Sequence, residues 1–465
     1  MPALFKNRRL RGAAVLLFWL IMWQALSIVV NSEILLSGPL ETALTLAEKV
    51  PDPDFWLVIG LSFLRIVTGF TAAVVCSLLF GFAAWRLPVV AEFINPAITF
   101  IKSVPIVCFV VLLLIWFGSE NVTPVAVFLV AFPAFYFACL EGLKHRNVRM
   151  SELIRVFGLP LKERILVFHW PGIRPFIQAT ARIAVGMSWK SGIAAELIGL
   201  PMKSIGMNIY QAKITLSSAE IFAWTFVLVG ITVLCEKLVL RLLECSEDHA
   251  WSLALRREPR GDMMQHAVHP VRIENVSKHF GERRIVSNFS VTLAPGSRLA
   301  LFAPSGSGKT TFLRLLAGLE KPDMGRIEGN ARVASVFQES CLFEGRSAID
   351  NIRIFCSRYH STTEIYAALE AVLPAHSLNR PVAELSGGMR RRVELVRALL
   401  SHADLILLDE PFSGLDSRTL EQAYKLTDEL LGERTLVIAS HVKEDIAGLN
   451  AEVLQLQPTA AGFDR

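Results

Sequence analysis

The 465-residue chain is poor in three things: close cysteine pairs, charge, and tryptophan beyond position 251. Its seven cysteines (Cys76, Cys108, Cys139, Cys235, Cys245, Cys341 and Cys356) form no C-x-x-C, so neither a zinc site nor a disulfide framework is indicated. The first four sit in apolar runs, where cysteine acts as a small hydrophobe. Lack of a disulfide framework fits a soluble part that faces a reducing compartment. Charged residues make up only 19% and hydrophobic residues 52%, which excludes a disordered chain. A mean hydropathy of +0.45 argues against a purely soluble protein. The shortage of charge is uneven. Positions 1–250 hold 21 Lys and Arg against 16 Asp and Glu, while 251–465 hold 26 of each. The net charge of +5 therefore lies entirely in the first part, as do nearly all nine tryptophans, the last being Trp251. Two different solvents have shaped one chain.

A helix needs about 20 apolar residues to cross a membrane. The sequence predicts six such spans, near 13–30, 57–85, 103–118, 122–142, 175–198 and 219–240. The first follows Lys6, Arg8, Arg9 and Arg11; its length, and the absence of a small-residue cleavage site before Asn31, favour an uncleaved helix over a signal peptide. With the N-terminus inside, the inner segments 1–12, 86–102, 144–174 and 241–260 carry 17 Lys and Arg, and the outer segments 31–55, 118–123 and 199–218 carry 3. This asymmetry predicts an even number of crossings with both ends inside. Arg65, Arg182, Lys190 and Glu196 fall within these spans. The two arginines are expected to snorkel toward an interface. Lys190 and Glu196 either line a pathway or pair with each other. A polar segment over 246–270, holding Pro259, Gly261 and Pro270, reads as a linker between a membrane domain at 1–245 and a second domain at 271–465.

From Val271 onward short apolar strands alternate with helical patterns, as in an α/β domain. The strand-like run 298–303 leads into Ala303-Pro304-Ser305-Gly306-Ser307-Gly308-Lys309-Thr310-Thr311, and a helical stretch follows. This is strand, P-loop and helix in order. Small residues let backbone N–H groups turn toward phosphates, Lys309 offers a cation to the terminal phosphates, and Thr310 offers a hydroxyl to Mg²⁺. The first position of the loop pattern is ordinarily Gly and here is Ala303, so the loop is expected to tolerate an ordinary φ there. The apolar run 405–408 ends in Asp409 and Glu410, placing one carboxylate for Mg²⁺ and the next for the attacking water. Leu385-Ser386-Gly387-Gly388-Met389 precedes a basic amphipathic helix and makes a second anion site at a helix N-terminus. One chain has no use for two γ-phosphate sites; two chains facing head to tail do.

On these motifs residues 271–457 resemble the nucleotide-binding domain of ABC transporters. The resemblance implies that Phe280 stacks on adenine, that 303–310 is the Walker A loop, and that Gln338 is the Q-loop residue, touching the metal and sensing the membrane domain. It further implies that Leu385–Met389 is the signature sequence, Asp409 and Glu410 the Walker B aspartate and catalytic carboxylate, Asp416 the D-loop aspartate, and His441 the switch histidine. Glu152, Gly158 and, 13 residues further, Pro171 resemble the E-A-A-x-x-x-G loop of ABC importer permeases, with Leu153 and Ile154 in place of the alanines. A coupling loop over about 150–171 is thereby implied. Ser62-x-x-Arg65-x-x-x-Gly69-Phe70 and Ala195-Glu196 are similar to permeases of the nitrate, sulfonate and taurine type, and Met389 is similar to that group's ATPases. The spacing between Thr311 and Gln338 and the stretch after His441 are short for the family.

The implied architecture is an all-α six-helix transmembrane permease domain followed by an α/β P-loop NTPase domain. The implied function is a half-transporter for ATP-driven import, using ATP and Mg²⁺, paired with a second copy and an extracytoplasmic solute-binding protein. It would sit among the lipids of the cell membrane as a multi-pass protein with its ATPase cytoplasmic, and no nucleic acid is expected. A small anion is the implied cargo. An ABC exporter half-transporter and a membrane-anchored regulatory ATPase are the competing readings.

Overall fold

Long apolar runs make long helices here, because in hydrocarbon every backbone polar group must be satisfied within its own segment. A computed structural model of the protein describes residues 8–256, 270–281, 283–304 and 306–455. The chain divides into two compact units. One comprises residues up to Arg146 together with His169–Asp248; the other comprises Asn147–Phe168 together with the chain from His249 onward.

In the first unit the helices are α1 (Arg8–Val30), α2 (Pro39–Lys49), α3 (Pro53–Arg86), α4 (Pro88–Ser103) and α5 (Ile106–Lys144). Two short helices of the second unit follow, α6 (Val148–Val156) and α7 (Leu161–Arg164). Then come α8 (Trp170–Gly199), α9 (Ile205–Ile214) and α10 (Ser218–Leu255). Among the described residues three helical segments are long and apolar enough to cross a membrane: Leu10–Val30, Pro53–Arg86 and Ile106–Lys144. Two expected spans, 103–118 and 122–142, fall almost wholly inside α5. That helix breaks at Gly118, where φ is 75° and ψ 173°. Phe109, before the break, and Leu129 and Val130, after it, line one cavity. A straight helix would hold positions 109 and 129 about 30 Å apart, so the chain turns back at Gly118. The expected spans 175–198 and 219–240 lie within α8 and α10.

Helix α5 packs on both α3 and α8. Gly69 of α3 makes that approach possible, since a Cβ there would sit 2.2 Å from the Pro124 carbonyl oxygen. Of the intramembrane charges, Arg182 is exposed, while Arg65 and Glu196 are held by partners. Arg65 does not reach freely for an interface: it pairs with Glu120 at 2.6 Å, lies 4.0 Å from Glu196, and donates to the Met202 carbonyl. Glu196 is fully buried and accepts from the Ser62 hydroxyl (2.9 Å) and the Gly206 N–H (3.1 Å). A pair with Lys190 is not formed among the described residues.

The second unit holds β1 (Val271–Phe280), β2 (Arg283–Leu293), β3 (Arg298–Phe302), α11 (Lys309–Leu316), β4 (Met324–Glu328) and β5 (Val333–Val336). It continues with α12 (Ala348–Cys356), α13 (Thr362–Glu370), α14 (Gly387–Leu399), β6 (Leu405–Asp409), α15 (Ser417–Leu431), β7 (Thr435–Ser440), α16 (Lys443–Gly448) and β8 (Glu452–Leu454). A three-stranded antiparallel sheet runs β2-β1-β4, and a five-stranded parallel sheet runs β5-β6-β7-β3-β8. The central strands β6 and β7 are buried along their whole length, as their continuous apolar runs require. The segment 246–270, expected as linker, begins as helix: α10 runs to Leu255, with Ala250, Trp251 and Ala254 buried. Trp251 packs edge-on against Phe343 at 4.9 Å. The spacing 250, 251, 254 is one helical face, hidden in the sequence by the charged residues just before it. Residues 257–269 of that segment lie outside the described residues.

Candidate functional site

Parallel strands deliver their C-terminal ends to one edge of the sheet, and the residues that follow them gather there. Strand β3 enters the P-loop, and α11 begins at Lys309. Lys309 is 6% exposed, and its ammonium donates to the carbonyls of Ala303 and, at 3.1 Å, Pro304. Ala303 is not among the residues with positive φ, so the loop does accept alanine there without backbone strain. A cavity of about 260 Å³ is lined by Gly306, Ser307, Gly308, Lys309, Thr310 and Thr311 of the loop, with Ile285, Gln338 and Glu410. Ser307 Oγ is buried without a partner among the described residues. An oxyanion entering this loop would satisfy it. Ser305 lies outside the described residues. Phe280, at the end of β1, is 51% exposed, with the Lys278 ammonium 5.4 Å from its ring centre.

The neighbouring strands β6 and β7 pair Asp409 with Ala439, so the residues just beyond come side by side. Glu410 Oε1 lies 3.2 Å from His441 Nδ1. Asp409 is 4% exposed, and burial pushes its carboxyl above the usual carboxylate range, partly opposed by a hydrogen bond from Thr310. A hydroxyl, a carboxylate and the nearby Gln338 amide make a hard-oxygen donor set of the kind Mg²⁺ takes. Asp416 caps α15, accepting from the Thr419 N–H at 3.0 Å, which holds its carboxyl below the ordinary value.

Ser386 caps α14, accepting from the Met389 N–H at 3.3 Å; Leu385 is buried, while Ser386 and Gly387 are exposed. None of 385–389 lines the P-loop cavity among the described residues. One chain thus brings Lys309, Thr310, Gln338, Asp409, Glu410 and His441 together and leaves the Ser386 motif apart from them.

Sequence reasoning missed Arg391, 8% exposed on α14. Its guanidinium donates to the carbonyls of Phe337, Asp409 and Glu410, joining the segment before Gln338 to the end of β6. Glu410 itself adopts φ 47°, a left-handed conformation that a non-glycine residue takes at a cost. Its N–H donates to Ala439, and its carbonyl is held by Arg391.

The loop containing Glu152 belongs to this same unit. Helix α6 is capped by Asn147, whose side chain accepts from the Met150 N–H. It ends at Gly158, with φ 62°, where the Leu159 N–H closes back to the Ile154 carbonyl. That is a left-handed helix stop, the conformation glycine adopts most easily. Met150, Leu153 and Ile154 are buried in a cluster with Cys341, Ile354 and Trp251. On the polar side Glu152 receives both arms of Arg314 from α11, at 2.7 and 2.9 Å, which raises the Arg314 pKa further. Arg149 pairs with Glu339. A second cavity, about 230 Å³, is lined by Arg149, Glu152 and Arg314 together with Thr310, Gln338 and Asp409. Thr310 and Gln338 therefore face both cavities. Pro171 opens α8 in its first turn.

This geometry defines a P-loop nucleotide hydrolase that carries helical membrane segments in the same chain. Residues 69–244 match the inner membrane component of binding-protein-dependent transport systems, and residues 286–413 match the ABC transporter family. Over 180 residues the chain is 39% identical to an aliphatic sulfonates import ATP-binding protein of Pseudomonas syringae pv. syringae, covering 38% of this chain and 66% of that relative. Over 196 residues it is 36% identical to an uncharacterised ABC transporter ATP-binding protein of Haemophilus influenzae, covering 40% of this chain and 82% of that one. The solved dimeric structure of a bacterial ABC transporter cassette is 25% identical, with a TM-score of 0.37, over 40% of this chain and 94% of that one. The chain belongs to the ABC transporter family, in which ATP hydrolysis is coupled to transport, and it joins the permease and the ATPase in one polypeptide.

Proposed function

We propose that the chain is the half-transporter of an importer for a small anion of the nitrate, sulfonate or taurine type. Two copies work with an extracytoplasmic solute-binding protein in the cell membrane, and both chain ends and the ATPase face the cytoplasm. The asymmetry of 17 against 3 Lys and Arg supports that orientation. Lys309 and the start of α11 hold the terminal phosphates of ATP, Phe280 stacks on its base, and Glu410, steadied by His441, orients the attacking water. Thr310, Asp409 and Gln338 are the residues that would hold Mg²⁺. When bound, Mg²⁺ neutralises charge developing on the phosphate oxygens. Leu385–Met389 completes the site on the partner copy, which fits its absence from the P-loop cavity of its own chain.

The observation that carries the coupling is the bidentate Glu152–Arg314 pair. It fastens a helix of the permease sequence to the helix that starts at Lys309, and the cavity beside it is shared with Thr310 and Gln338. Glu152→Arg is expected to lower ATP-driven uptake by about tenfold or more while sparing most basal ATPase activity. The double exchange Glu152→Arg with Arg314→Glu is expected to recover a large part. Uptake unchanged in the single variant would contradict this role.

A further inference from the structure

Sequence alone leaves Lys190 with two readings, a pathway residue or a partner for Glu196, and the Ser62–Arg65–Glu196 cluster removes the second. Lys190 makes no ion pair or hydrogen bond among the described residues. It lines an open pocket of about 370 Å³ in the first unit. Lys102, at the end of α4, lines the same cavity, and its ammonium is 5.9 Å from the centre of the Phe137 ring. Among the described residues no carboxylate lines it, and the rest of its wall is mostly apolar, including Phe109, Leu129, Val130 and Met187. Cavities of about 300–1,000 Å³ with an apolar wall and a few placed polar groups are the usual form of small-molecule sites. Both lysines are exposed, so their ammoniums are open to an incoming anion, and an ionisable residue on an expected membrane span marks such sites by default.

We propose that this cavity is a binding site for an amphipathic oxyanion: Lys102 and Lys190 take the anionic head, and the wall formed across the Gly118 turn takes a short apolar tail. The proposal rests on the importer reading above and places recognition of its cargo partly within the membrane unit. The occupant is a soluble organic anion, an alkyl sulfonate in chemistry, and not a lipid head-group. Both would use the same two charges, so the experiment separates them.

The test uses the purified full chain in phosphatidylcholine nanodiscs, titrated calorimetrically with butane-1-sulfonate and with butylammonium. Sulfonate is expected to bind and butylammonium not to. Lys190→Gln and Lys102→Gln are each expected to weaken sulfonate by at least about tenfold, as loss of a charge-assisted contact does. Basal ATPase activity serves as the check on folding, because both lysines lie outside the nucleotide unit. Equal binding of butylammonium, or sulfonate binding unchanged in the double variant, overturns the site. Abolition of sulfonate binding by adding phosphatidylglycerol to the disc assigns the cavity to lipid and overturns the proposed occupant. Lysine-dependent sulfonate binding in a chain that performs no ATP-driven uptake would uphold the site and sink the importer reading. Uptake that ignores both substitutions would do the reverse.

Discussion

Three consecutive arginines on α14 have three different jobs. Arg390 donates to the carbonyls of Val382, Ala383 and Leu385, and Arg392 to those of Gly388 and Val372. Arg391 alone turns to Asp409 and Glu410. A left-handed residue costs about 1–2 kcal/mol, and at Glu410 the Arg391 contact helps to hold it. Arg391→Gln is expected to lower kcat by about tenfold while leaving the KM for ATP within about twofold, because the carboxylate proposed to orient the water loses its posture and the phosphate loop does not. Arg391→Lys should recover part of the loss. A variant whose kcat and KM both keep parent values would show that Arg391 only fills space. Glu410 and His441 were legible in the sequence because each follows an apolar strand in an ordered set of motifs. Arg391 was not, since its partners are backbone carbonyls, which no side-chain pattern announces.

At the scale of elements, α6 shows what spacing alone can convey. Glu152, Gly158 and Pro171 were recognisable, whereas the replacement of two alanines by Leu153 and Ile154 left the match resting on intervals. The structure gives those two residues a reason: they are 0% and 1% exposed and anchor the helix among Cys341, Ile354 and Trp251. Gly158 stops the helix at φ 62°. Gly158→Val is expected to speed amide hydrogen exchange across 147–158 by about tenfold, matching a strain of about 1–2 kcal/mol, while exchange in β6 and β7 stays as it was. Unaltered exchange in 147–158 would mean that the stop is not needed. Apolar runs were equally readable in α5, where the break at Gly118 falls between the expected spans 103–118 and 122–142. The expected linker 246–270 was less so: its first part is helix, because a buried face of Ala250, Trp251 and Ala254 continues past a polar run.

At the scale of the whole molecule, the uneven charge of the chain corresponds to a helical unit with apolar, membrane-length helices and a nucleotide unit built on a parallel sheet. The second unit also claims Asn147–Phe168, a segment that lies between helices of the first in the sequence. Sequence order alone conceals this interleaving. The nucleotide cavity lacks the Ser386 motif of its own chain among the described residues, so a single copy is an incomplete hydrolase in this reading. The direct test is uptake by proteoliposomes holding only this chain, with labelled alkyl sulfonate and the proposed solute-binding protein outside and ATP sealed inside. Accumulation is expected with the parent chain and near background with Glu410→Gln, which should still bind ATP; accumulation that persists in Glu410→Gln, or ATP-driven loss of label from preloaded vesicles, would contradict import.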